Sequence, residues 1–123
     1  MGNKRTVAQT IAACLIRHGI RSVFSQSLPS AVVLALEQLG VTQIAYRTEN
    51  AGAAMADGFA RVTGRATVVT AQNGPAATLL VPGLAEALKA SIPVVALVQE
   101  VNRRKQTETH SRNWIMSRCS PVW

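Results

Sequence analysis

The sequence predicts an α/β protein, a three-layer α/β/α sandwich with a mostly parallel sheet. Short strand-like runs alternate with helical runs through most of the first hundred residues, the pattern of parallel strands joined by crossover helices. The two most apolar strand candidates, Ala66–Ala71 and Pro93–Val98, lack polar alternation, as strands covered on both faces do. Gly19, Gly40 and Gly74-Pro75 fall where the pattern changes, and glycine and proline punctuate such junctions.

Each element follows in chain order. Val7, Ile11, Leu15 and Ile16 recur at helical spacing, with Thr6 as a capping residue and Gly19 as the stop. Met1-Gly2-Asn3-Lys4-Arg5-Thr6 also fits the loose pattern for N-myristoylation, but a capped helix start explains the same residues. Ser22–Ser25 reads as a short strand, Leu28-Pro29-Ser30 as a turn, and Ala31–Leu39 as a helix closed by Gly40. Gln43–Tyr46 is a strand, Glu49–Val62 a third helix, and Ala66–Ala71 a β-branched strand. Gln72-Asn73-Gly74-Pro75 breaks the chain before a helix over Ala76–Ala90, and Pro93–Val98 is the last strand.

At 123 residues with 48% hydrophobic and 15% charged residues, the chain has the composition of one globular domain rather than a disordered segment. No apolar run approaches the length of a bilayer span, and no secretory leader pattern opens the chain, so a cytoplasmic, membrane-free protein is expected. Cys14 and Cys119 fit no disulfide, zinc or haem spacing. The net charge of +7 divides into +3 over residues 1–100 and +4 over residues 101–123. The basicity is therefore a tail property, and a nucleic-acid binder is disfavoured without a recognition motif. Ligands in open α/β sheets bind beyond the carboxyl ends of the strands, which points to Ser25–Ser30, Arg47–Asn50, Gln72–Pro75 and Glu100–Lys105. Neither G-x-G-x-x-G nor G-x-x-x-x-G-K-[ST] occurs in the sequence, disfavouring nicotinamide and P-loop chemistry.

The chemistry concentrates between Arg47 and Gly64, where a carboxylate, Glu49, closes a strand and nearly every following residue is small. An acid at a helix start complements the helix dipole. Glycines inside the helix cost about 1 kcal/mol each relative to alanine, so a close approach to a neighbouring backbone, here across a subunit interface, is expected to offset them.

This run, continued by Ala66–Thr70 and Asn73-Gly74-Pro75-Ala76-Ala77-Thr78, resembles the pyrimidine-binding domain of thiamine-diphosphate-dependent enzymes, nearest the acetolactate synthase-like carboligases and decarboxylases. Arg47, Glu49, Gly52, Ala56, Gly58, Ala60, Arg61 and Gly64 occupy its pattern, with Ala87, Ile92, Pro93, Val94 and Val95 downstream, over residues 5 to 108. The resemblance implies that Glu49 is catalytic. Its counterpart hydrogen-bonds a ring nitrogen of the cofactor's aminopyrimidine and promotes loss of the thiazolium C2 proton. That task needs a carboxyl group able to hold or share a proton near neutral pH, which an apolar pocket favours. The resemblance also implies that Pro29, Gln72, Asn73 and Gly74 contact the cofactor. Ser30, Ala76 and Leu79 depart from the family's common glycine, glycine and asparagine, and they detach the reading from any one reaction.

In this family the diphosphate and Mg²⁺ are held by a Gly-Asp-Gly motif in another domain. The sequence has no Gly-Asp-Gly, and its single aspartate is Asp57. The resemblance therefore implies a 2-oxo acid enzyme completed by a second copy or by a separate diphosphate-binding chain, and a chain inactive by itself. A standalone subunit of a split enzyme is the alternative, with a non-catalytic basic module behind it. FAD dependence and the particular 2-oxo acid are left open, and no protein metal ligand is expected. Residues 109–123 read as an atypical basic tail. Asn113-Trp114-Ile115-Met116 permits a shifted reading of its codons containing Leu-Asp, as relatives have there, so a frameshift near Glu108–Thr109 is the favoured reading, with a genuine divergent basic helix or disordered tail as the alternative.

Overall fold

The computed structural model describes residues 5–26 and 30–99. The expected boundary at residue 108, the tail 109–123 and the Glu100–Lys105 loop lie outside the described residues. Within them the order is α1 (Val7–Arg17), β1 (Ser22–Ser25), α2 (Ala31–Gln38), β2 (Thr42–Ala45), α3 (Glu49–Thr63), β3 (Thr67–Gln72), α4 (Pro75–Lys89) and β4 (Val94–Gln99).

Local chemistry sets these boundaries. Thr6 accepts from the Gln9 amide while the Gln9 side chain accepts from the Thr6 amide, a reciprocal cap that satisfies two otherwise free donors. Ser30 caps α2 through the Val33 amide at 3.3 Å. Gly64 ends α3 in the left-handed region at φ 64°, where a side chain would be strained. Pro82 lies inside α4 at an exposed position, and the helix continues through it.

The strands form one parallel sheet in the order β2-β1-β3-β4. Adjacent residues of a strand face opposite sides, and the core divides accordingly. Val23 and Val68 join Ala12, Ile20, Leu36 and Val41 beneath α1 and α2. Phe24 and Val69 join Tyr46, Ala53, Ala56 and Leu80 beneath α3 and α4. The three-layer α/β/α arrangement is thus present.

One strand departs from expectation. β3 is buried along nearly its whole length, as its apolar sequence predicts. β4 is equally apolar but only half covered, with Val95 and Val98 exposed at 40% and 41%. Among the described residues β4 has a neighbour on one side only. The apolar run correctly identifies a strand, but it carries no information on how many layers cover it.

Candidate functional site

The sheet order reverses between β1 and β3, because β2 lies on one side of β1 and β3 on the other. A crevice opens at such a reversal, at the carboxyl ends of the strands. Here it is lined by Gln26, Ser30, Thr70, Ala71, Gln72 and Gln99. A larger cavity of about 290 Å³ shares Ser30 and Gln99 and is otherwise lined by Ala31, Val32, Leu97 and Val98. None of these side chains is charged.

Glu49 is the first residue of α3 and only 8% exposed. Its Oε1 accepts from Nε2 of Gln26, a residue just beyond β1. Gln26 thus links the acid to the crevice. The strand end beneath it is braced: Gln43 Nε2 donates to the Gln26 carbonyl at 2.8 Å and to the Ser25 hydroxyl. No side-chain cap closes α3, whose capping residue is Thr48, so the free amides at the start of the helix add positive potential beside the carboxylate.

Tyr46 lies near enough to Glu49 to feel its charge. Its ring is buried and its hydroxyl donates to the Thr70 carbonyl on β3. Burial, and secondarily the charge of Glu49, push its phenol up to about 12, so it remains a neutral donor at physiological pH. Gly52 makes room for that ring, since a Cβ there would lie 2.6 Å from the Tyr46 Cε1 carbon. Gly83 of α4 does the same for Ala53, whose Cβ would be 2.6 Å from an added methyl. A subunit interface is the expected place for the close approach; at Gly52, and at Gly83 facing α3, it is instead made within the chain, by the Tyr46 ring and Ala53. Gly58 instead faces open space, on a helix that also exposes Met55, Phe59 and Val62.

The other anticipated residues fall along the same rim. Gln72 ends β3, pairs in register with Gln99 and lines the crevice. Asn73 follows, buried to 6% exposure, and its Nδ2 donor has no partner among the described residues. Gly74 adopts φ 67° and ψ −129°, a conformation open to glycine almost alone, and starts α4. Pro29 lies outside the described residues. The structure therefore joins Glu49 to Gln72 through Gln26, with Asn73 and Gly74 next in the chain. Gln26, Gln43, Tyr46 and Gln99 were not singled out from sequence. Gln26 lies in a loop the strand-end rule indicated, but its partner is 23 residues away.

This donor set fits a neutral heterocycle with ring nitrogens and an exocyclic amine. A buried carboxylate, an unpartnered amide donor and a side-chain-free glycine stand at one rim. Among the described residues no group of three His, Cys, Asp or Glu could hold a metal ion, and no helix is long and apolar enough to cross a membrane.

Comparison with known proteins gives the family. The family described as "Thiamine pyrophosphate enzyme, N-terminal TPP binding domain" matches residues 5–120. The acetolactate synthase isozyme 2 large subunit of Escherichia coli is 39% identical over 99 residues, covering 77% of this chain and 18% of that protein. The chloroplastic acetolactate synthase of Arabidopsis thaliana is 34% identical over 105 residues, covering 81% and 15%. A protein of Haemophilus influenzae without an assigned role is 39% identical over 100 residues, covering 78% and 37%. The chain thus spans well under half the length of these relatives. By motif, fold and similarity, it belongs to the thiamine pyrophosphate enzyme family, through that family's N-terminal TPP-binding domain.

Proposed function

We propose that this chain supplies the pyrimidine-binding half of a thiamine diphosphate site, with Glu49 as the carboxyl group that contacts the aminopyrimidine. The observation that supports this most is a carboxylate 8% exposed at the rim of the sheet, at the head of the Arg47–Gly64 run. When bound, thiamine diphosphate would supply the electron sink for making or breaking a bond beside the carbonyl of a 2-oxo acid.

The chain's own residues perform a narrower task. Oε1 of Glu49 is occupied by Gln26, and among the described residues no donor reaches Oε2. Oε2 is thus the atom that would hold the proton shared with the ring. Asn73 Nδ2 would donate to a ring or carbonyl acceptor, satisfying a buried group otherwise left unpaired. Gly74, Gln72 and Pro29 would border the ring.

The uncharged lining of the crevice is ill suited to a diphosphate, which is best held by charge-assisted bonds. We assign the diphosphate and Mg²⁺ to a further domain or chain, and pairing with a second pyrimidine-binding domain to the outer face of α3. On this reading the chain alone is inactive and binds the cofactor weakly.

The test is calorimetric titration of thiamine diphosphate and Mg²⁺ into the chain alone, then with a chain carrying a diphosphate-binding domain. Affinity should rise at least tenfold, about 1.4 kcal/mol, with the partner. In the complemented enzyme Glu49→Gln should lower kcat by about 10²–10⁴-fold with the fold intact. Turnover at the wild-type rate would overturn the assignment.

A further inference from the structure

We propose that Gln26 is a positioning residue for Glu49, its side-chain amide fixing the direction of the carboxylate while Gln43 fixes Gln26. The two ends of this contact come from different elements, the tip of β1 and the first turn of α3, 23 residues apart in the chain.

The brace is built from the strand outward. Ser25 is the last residue of β1 and 1% exposed. Its hydroxyl accepts from Gln43 Nε2 and donates to the Gln26 carbonyl at 3.3 Å. The second Gln43 bond, 2.8 Å to the same carbonyl, comes from the neighbouring strand β2. The backbone of Gln26 is thereby held at the point where β1 ends, and its half-buried side chain reaches Glu49.

The choice of an amide has a chemical consequence. Lysine or arginine in this place would also orient a carboxylate, but its charge would hold the acid ionised. A glutamine amide is neutral and donates one N–H to Oε1. It directs the acid while leaving it free to exchange a proton. The titratable group facing Glu49 is Tyr46, which stays protonated near neutral pH, and Arg47 beside it is exposed.

The consequence for catalysis rests on the role proposed for Glu49, whereas the contact itself does not. The test uses the full chain with ¹³Cδ-labelled glutamate, following the Glu49 carboxyl signal by NMR as pH is varied. Gln26→Met keeps the side-chain length and removes the donor, so the carboxylate loses a bond and its titration midpoint should rise by about one pH unit. Gln26→Lys should move the midpoint in the opposite direction. Gln43→Met should broaden or shift the Gln26 side-chain amide resonances without a change in charge. If the midpoint is the same in wild type, Gln26→Met and Gln26→Lys, the inference is wrong.

Turnover by Glu49→Gln in the complemented enzyme, measured separately, keeps the two readings apart. Loss of turnover there with unmoved midpoints in the Gln26 variants would sink only the positioning role. Moved midpoints with undiminished turnover would sink only the role of Glu49.

Discussion

The two layers flanking the sheet are built from different materials. Beneath α1 and α2, Ala12, Ile20, Val23, Leu36, Val41 and Val68 form a hydrocarbon core, with the Ser25–Gln43 pair at its carboxyl edge. Beneath α3 and α4, an aromatic pair, a tyrosine and a run of alanines and glycines share the space with the Tyr46 hydroxyl, Glu49 and Asn73. The first layer depends on volume. The second depends on how closely backbones approach, because Gly52 and Gly83 each fill a gap that admits no methyl group. Away from the carboxyl rim, a change in the first layer should weaken the fold alone, while a change in the second should weaken both fold and site.

That contrast can be broken by mutation. Leu36→Ala, at a fully buried position of the hydrocarbon layer, should cost about 2–5 kcal/mol in urea unfolding. At temperatures where the variant is folded, its thiamine affinity should be unchanged. Gly52→Ala should cost less, about 1–3 kcal/mol. Its methyl would displace the Tyr46 ring near Glu49, so calorimetry should show weaker thiamine binding as well. A Gly52→Ala protein with full affinity would erase the distinction between the layers.

Tyr46→Phe is a smaller change. It removes the bond to the buried Thr70 carbonyl and should cost about 1–3 kcal/mol. The same tyrosine predicts a pH dependence. Its phenol is raised from about 10 to about 12 in the folded chain, so the folded state keeps the proton longer than the unfolded state. Its contribution is fully present below pH 10 and declines as pH rises towards 12. Urea midpoints followed between pH 9 and pH 12 should fall more steeply for the wild type than for Tyr46→Phe.

All eight elements could be read from the sequence because their signals are local. Thr6, Gly19 and Gly40 mark ends, and the apolar strands are continuous. Boundaries move by a residue or two, as at Thr67–Gln72 against the expected Ala66–Ala71. The half-covered state of β4 was not legible, since burial on the second face depends on what lies beside the strand. At the site, Glu49 stood out through the motif that follows it. Gln26 did not, because its significance comes from a hydrogen bond to another element, and one glutamine after a strand has no pattern. The reason for Gly52 was equally hidden until the Tyr46 ring was placed against it.

The account rests on the pyrimidine end of the cofactor meeting Glu49 at the carboxyl rim. Residue-resolved NMR of ¹⁵N-labelled full chain during titration with thiamine reads even weak binding. Amide shifts confined to Gln26, Ser30, Glu49 and Gln72–Gly74, with α1 and the body of α2 unmoved, are the expected result. Shifts centred on α1 and α2, or none at millimolar thiamine, would contradict it.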